Sequence, residues 1–316
     1  MKNVHALLTA GLCGAVCLLH THCAGPRSGG AKRIDQPAWL EAPARRLTDS
    51  SADQTAPSFS PDGLQLVYQN NGDGNWELYT MQVSDGRPTR LTDTPEAEED
   101  PSWSPDGRWI VCTVHAPSLD ASPPRDILVM AADGRQRRIV AASGADDWHP
   151  RFSPDGKSIY FVSDRVDERR DLGDAERRTA VFRFDLESDN LVQLTGAGIY
   201  SSPLPTSQGL ALRMGNHQLG WLENQDPSVL MVDSLRILGQ PDWHAVAGWA
   251  VSEITVERDG LILVRPPQSN QWLPLGPEGR EADQLPAWSP DGRRLAFAGR
   301  QSQQWDIYLK SMDGQP

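Results

Sequence analysis

One five-residue string recurs four times in this chain: Phe59-Ser60-Pro61-Asp62-Gly63, Trp103-Ser104-Pro105-Asp106-Gly107, Phe152-Ser153-Pro154-Asp155-Gly156 and Trp288-Ser289-Pro290-Asp291-Gly292. Proline holds φ at about −65° in the second turn position, aspartate suits the third, and glycine accepts a left-handed conformation at the fourth. Each copy is therefore a tight hairpin turn and demands a strand on both sides. Leu66-Val67-Tyr68, Trp109-Ile110-Val111-Cys112, Ile159-Tyr160-Phe161-Val162 and Leu295-Ala296-Phe297 lead out of the turns. A third strand follows with a shared pattern, Trp76-Glu77-Leu78-Tyr79, Asp126-Ile127-Leu128-Val129 or Trp305-Asp306-Ile307-Tyr308. A second turn (Asp85-Gly86-Arg87, Asp133-Gly134-Arg135 or Asp313-Gly314-Gln315) then opens a short fourth strand ending in Arg90-Leu91-Thr92 or Gln193-Leu194-Thr195.

The period is about 45 residues, and the gap between the third and fourth copies has room for two degenerate ones. His149-Pro150-Arg151-Phe152-Ser153-Pro154-Asp155-Gly156 aligns without gaps on Ser202-Pro203-Leu204-Pro205-Thr206-Ser207-Gln208-Gly209. For the other copy, Asp147-Trp148-His149 recurs as Asp242-Trp243-His244. The expectation is an all-β chain: a six-bladed β-propeller of four-stranded antiparallel blades over residues 45–316. The last repeat stops before its fourth strand, while Arg45-Arg46-Leu47-Thr48 precedes the first blade without a partner. An N-terminal strand that closes the ring satisfies both and removes an exposed sheet edge.

These strings resemble the repeats of TolB-type, WD-repeat-like propellers of the bacterial envelope. The resemblance covers about residues 45–316 and implies the propeller fold. About 20 residues separate the N-terminal segment from the first strand, where TolB carries an α/β domain. Some oligogalacturonate lyases resemble the same propellers and bind a metal through channel histidines.

Residues 1–24 read differently. Lys2 precedes an apolar run from Ala6 to Leu19, short for a membrane span and suited to an export signal. Cys23 follows it, and the flexible stretch 25–44 reads as a tether, so the segment fits a lipoprotein anchored through Cys23, ordinary cleavage near Ala24, or a retained anchor. An exported protein of the periplasm or outer membrane follows, with the membrane reached only through that lipid. Cys112 is the one cysteine left in the body, so no disulfide braces the ring and a single monomeric propeller is expected.

A net charge of −12 disfavours binding to nucleic acid. No Gly-x-Ser-x-Gly, His-Glu-x-x-His, phosphate-binding Lys loop or zinc-spaced cysteine pair occurs, and no cofactor is implied. His149 and His244, each after Asp-Trp, are the candidate metal ligands of a lyase acting on an acidic sugar. The preferred reading is a non-catalytic interaction module that takes an envelope protein, peptide or other ligand at an acidic channel mouth. Its candidate residues are Glu98, Asp100, Asp147, Trp148, His149, Asp242, Trp243 and His244, on or near the connections into the innermost strands. The hairpin turns on the other face carry Arg87, Arg108, Arg135, Lys157 and Arg293, so the ring is expected to be acidic at one mouth and more basic at the other. Trp103 and Trp288 replace phenylalanine in the repeat and read as core.

Overall fold

The computed structural model describes residues 37–40, 42–117, 124–167, 178–215, 218–223, 226–229, 237–253, 260–276 and 279–313. The expected export signal, Cys23 and most of the expected tether lie outside them. Six antiparallel sheets of four strands follow one another along the chain. Their innermost strands are Gln54–Phe59, Ala97–Trp103, Asp147–Phe152, Tyr200–Thr206, Ile237–His244 and Ala282–Trp288, in blades 1 to 6. Each touches the innermost strands of the blades on both sides, and blade 6 touches blade 1, so the ring is closed. The core sits between blades: Val111, Ile127 and Val129 of blade 2 pack with Phe152, Phe161 and Phe182 of blade 3. Trp288 is buried between blades 5 and 6, and Trp103 packs on the cluster of blades 1 and 2.

The repeated turn carries its own hydrogen bonds. In all four copies the serine hydroxyl donates to the aspartate Oδ1 at 2.6 Å. That oxygen also accepts the backbone N–H after the glycine, at 2.9–3.1 Å. The serine bond, then the backbone bond, hold Asp62, Asp106 and Asp155 below the usual carboxylate range. The motif also joins blades. A Cβ on Gly107 would stand 3.6 Å from Pro61, and one on Gly156 3.5 Å from Pro105, so these two turn glycines face the turn proline of the preceding blade.

Closure occurs at the expected strand. Arg45–Arg46 joins the sheet of blade 6, with Arg45 opposite Leu309 and Arg46 opposite Tyr308. Leu47 donates its N–H to the Ile307 carbonyl at 2.7 Å, and Thr48 Oγ1 accepts the Ile307 N–H at 2.9 Å. Thr92 and Thr195 accept the N–H groups of Leu78 and Val181 in the same way, which explains the threonine at the end of the fourth-strand string. Arg46 pairs with the buried Asp306 at 2.5 Å.

The packed unit begins at Pro37, earlier than the expected boundary at residue 45. Trp39, in a 3-10 turn over Ala38–Leu40, is buried among Ala250, Ile262, Leu275, Phe297 and Tyr308. Lys310, fully buried, donates through Nζ to the Ala42 carbonyl at 2.6 Å. Sequence reading missed this contact because one tryptophan in a polar stretch has no periodicity to mark it.

Candidate functional site

The axis of the ring is shaped by a β-bulge in every innermost strand. Ala56, Asp100, His149, Ser202, Gly239 and Leu285 occupy equivalent positions, all at φ between 51° and 61°. The pairing register of each strand breaks there. Ala56, Asp100, Leu285, three of the prolines that follow bulges (Pro57, Pro101, Pro286), Arg151 and Gln240 surround an axial cavity of about 10 Å³. That is room for about one water molecule. The axis is thus narrow at this depth.

Two of the four acids of the expected mouth, Glu98 and Asp147, are committed to arginines. Glu98 is fully buried, 2.5 Å from Arg137, and also accepts the Thr94 hydroxyl. Asp147, fully buried, pairs with Arg165 at 2.7 Å. Asp283 pairs with Arg280 at 2.6 Å and Asp146 with Arg125 at 2.6 Å. On the opposite face, Arg108, Lys157 and Arg293 share their turns with Asp106, Asp155 and Asp291. Acids therefore stand beside the bases of the turn face, and arginines beside several acids of the connection face. The guanidiniums concerned lie up to 39 residues away in sequence, so the acids read as exposed before the fold is known. Of the arginine-rich connection 164–179, Arg165 folds inward onto Asp147, and residues 168–177 lie outside those described.

The two Asp-Trp-His strings do not share a register. His149 is the bulge residue of blade 3, between Trp148 opposite Val162 and Arg151 opposite Tyr160. In blade 5 the bulge falls between Leu238 and Asp242, and His244 stands opposite Gly248 at the hairpin end of the strand. Gly239 is therefore the counterpart of His149, and the alignment of His149 with His244 is corrected. Asp242 and Trp243 follow the bulge, at the places of Arg151 and Phe152. The alignment of His149 with Ser202 holds, since both are left-handed bulge residues. His244 Nδ1 accepts the N–H groups of Val246 and Ala247, so Nε2 carries the proton donated to the Pro290 carbonyl of blade 6 at 2.9 Å. It locks a turn. Gly292 has no room for a side chain, since a Cβ would meet this ring at 2.5 Å. Trp243 joins Trp221 and Trp249, with ring centroids 6.4 Å apart in each pair, away from Trp148.

What gathers at the connection face is a smaller group. Trp148, half-buried, lies under the Arg125 guanidinium at 4.8 Å, and both the Nε and Nη2 of Arg125 bond to Asp146. The His149 ring stands edge-on to Trp148, and its Nε2 is 3.6 Å from Asp100 Oδ2. The Nδ1 of His149 is buried without a hydrogen-bond partner. Burial pushes His149 down to about 4, against the opposing pull of Asp100. Burial also raises Asp147 to about 6 despite Ser163 and Arg165, and raises Asp242 to about 6 despite the N–H groups of Trp288 and Trp243.

These shifts act in opposite directions on stability. His149, depressed on folding, contributes stability above pH 6.5 that is lost as pH falls through about 4. Asp242, raised on folding, contributes stability below pH 3.8 that is lost as pH rises through about 6. Relative to the unaltered protein, His149→Gln should therefore gain melting temperature as pH falls from 6.5 to 4, and Asp242→Asn should lose it from 6 to 3.8. Scanning calorimetry across that range checks both signs; two flat difference curves would refute them.

Three comparisons bear on this arrangement. The family described as PD40, the TolB beta propeller domain, matches residues 40–115. A TolB homologue of Chlorobium luteolum is 28% identical over 153 residues, 47% of this chain and 34% of the relative. The chain thus spans about a third of that relative's length. Among solved structures, an oligogalacturonate lyase from Vibrio parahaemolyticus superposes with a TM-score of 0.58 at 12% identity, covering 86% of this chain and 94% of the lyase. A gluconolactonase from Xanthomonas campestris gives 0.61 at 15% identity, covering 85% and 89%. Identities this low speak to the fold alone. Turn motif, blade count and sequence likeness together identify a TolB-like β-propeller.

Proposed function

We propose that this propeller is a non-catalytic interaction module of the cell envelope, exported through its N-terminal segment, that takes a protein or peptide at the face of the connections into the innermost strands. One observation carries the reading: Trp148 and Arg125 form a half-buried aromatic–guanidinium anchor held by Asp146, beside the Asp100–His149 pair. Tryptophan and arginine fixed in one geometry are the residue types that dominate protein-binding hot spots, because a rigid aromatic loses little entropy on contact. The alternative, a lyase with a metal held by channel histidines, drew on His149 and His244 meeting at one mouth, and their registers differ.

A photo-crosslinking residue at position 148 should form one dominant adduct in envelope extract, while the same residue at the exposed Arg108 should not. Trp148→Ala should weaken capture of that partner about thirtyfold, the scale of a hot-spot truncation. Equal crosslinking from both faces would refute the proposal.

A further inference from the structure

Arg151 sits in the innermost strand of blade 3 and lines the axial cavity. Its guanidinium donates to two neutral oxygens, the Pro150 carbonyl at 3.0 Å and Gln240 Oε1 of blade 5. No carboxylate oxygen of a described residue stands within ion-pair distance of it, in contrast to Arg125, Arg137, Arg165 and Arg280. Burial lowers its pKa, with Asp100 and Asp242 the acids whose fields oppose that effect. Asp100 also lines the cavity, whereas Asp242 is engaged elsewhere. The two oxygens of Asp242 accept the N–H groups of Trp243 and Trp288, at 2.9 and 2.6 Å, and Asp100 faces His149. Arg213 and Arg125 add positive charge near His149, Arg213 being bonded to Ser201 Oγ and Arg125 to Asp146. Arg151 is half-buried, and charged groups held largely out of water are ordinarily paired.

We infer that the axial cavity is a receptor for the tip of a carboxylate, with Arg151 as its guanidinium and Gln240 as the neutral group the carboxylate displaces or joins. The inference rests on the proposed peptide-binding face and names its chemistry: an acidic group, either a side chain or a chain terminus, inserted along the axis. The cavity of about 10 Å³ admits one oxygen-sized group, so the rest of the ligand stays outside the constriction. The recognition charge is thus positive, the reverse of the acidic mouth that the sequence suggests. Guanidinium suits this role because its planar fork binds carboxylates with charge-assisted hydrogen bonds.

Sodium acetate, titrated against a sodium fluoride background of constant ionic strength, is the probe, with arginine side-chain ¹⁵N resonances as the readout. Acetate should shift one resonance saturably, and that resonance should be missing from Arg151→Gln, whose affinity should fall about tenfold or more. Arg108→Gln, on the opposite face, should bind as the unaltered protein does. Ethylammonium chloride should not compete. Capped peptides then separate the sources. Displacement of acetate by a peptide with a free C-terminus but not by its amide supports a terminal carboxylate, and displacement by an amidated peptide containing Glu supports a side chain. No saturable shift in the unaltered protein, unchanged affinity in Arg151→Gln, or acetate binding that no peptide displaces (an adventitious ion only) would each overturn the inference. Because the probe needs no partner, failure here leaves Trp148-dependent crosslinking to be judged separately.

Discussion

Deleting residues 45–48 should lower the melting temperature by about 10 °C or more and make the protein prone to associate. The segment supplies two strand residues, the threonine that completes the third-strand ladder, and the guanidinium that accompanies Asp306. Without it the Asp306 carboxylate, whose side chain is wholly buried, loses its paired charge, and an unpaired carboxylate in the interior costs about 3–5 kcal/mol. The strand Gln304–Ser311 becomes an open edge of eight residues, a template for pairing with another chain. Trp39→Ala is the companion test, since it removes a side chain from between blades 5 and 6 without opening the edge. It should cost about 3–5 kcal/mol. Calorimetry with light scattering separates the two outcomes: both variants melt early, and only the deletion aggregates from the folded state. An unchanged transition in the deletion variant would contradict closure.

Asp283→Ala should be the most damaging single substitution among the paired acids of the connection face, at about 3–5 kcal/mol in chemical denaturation. Arg280 and Asp283 are almost entirely buried, and the guanidinium lies over Phe297 at 5.0 Å and Tyr308 at 4.8 Å. Removing the carboxylate takes this buried ion pair from a guanidinium stacked on two aromatic rings. Replacing both partners by apolar residues of similar volume, Arg280→Met with Asp283→Leu, should recover most of the loss, because the pair's attraction is offset by its desolvation. If the double variant is less stable than Asp283→Ala, the charges serve a role beyond pairing with each other.

The blade architecture was legible because its signal is local. Ser-Pro-Asp-Gly specifies a backbone path by itself, and four copies set the period that locates the rest. The channel was less legible because its charges pair across blades: nothing beside Glu98 in sequence announces Arg137, and nothing beside Asp147 announces Arg165. The misaligned histidines show a different cause. A Pro-x-aromatic triplet ends the innermost strand at Pro57-Ser58-Phe59, Pro101-Ser102-Trp103, Pro150-Arg151-Phe152 and Pro286-Ala287-Trp288, and blade 5 has it as Pro241-Asp242-Trp243. That triplet equates Trp243 with Phe152, as the pairing register does. Asp-Trp-His was the more conspicuous match, but it runs into the bulge in blade 3 and follows the bulge in blade 5. Arg151 carried no repeat signal, since Ser58, Ser102, Leu204, Asp242 and Ala287 hold its place in the other blades.

Six unlike residues, alanine, aspartate, histidine, serine, glycine and leucine, share one backbone conformation at the bulges. A left-handed conformation costs a residue other than glycine about 1–2 kcal/mol, so the ring rather than the side chain enforces it. Scaffold and chemistry are thereby uncoupled at the axis. The side chain at the bulge thus differs from blade to blade while the strand path around it persists. A propeller of this construction can vary the chemistry of its axis one blade at a time while keeping its shape.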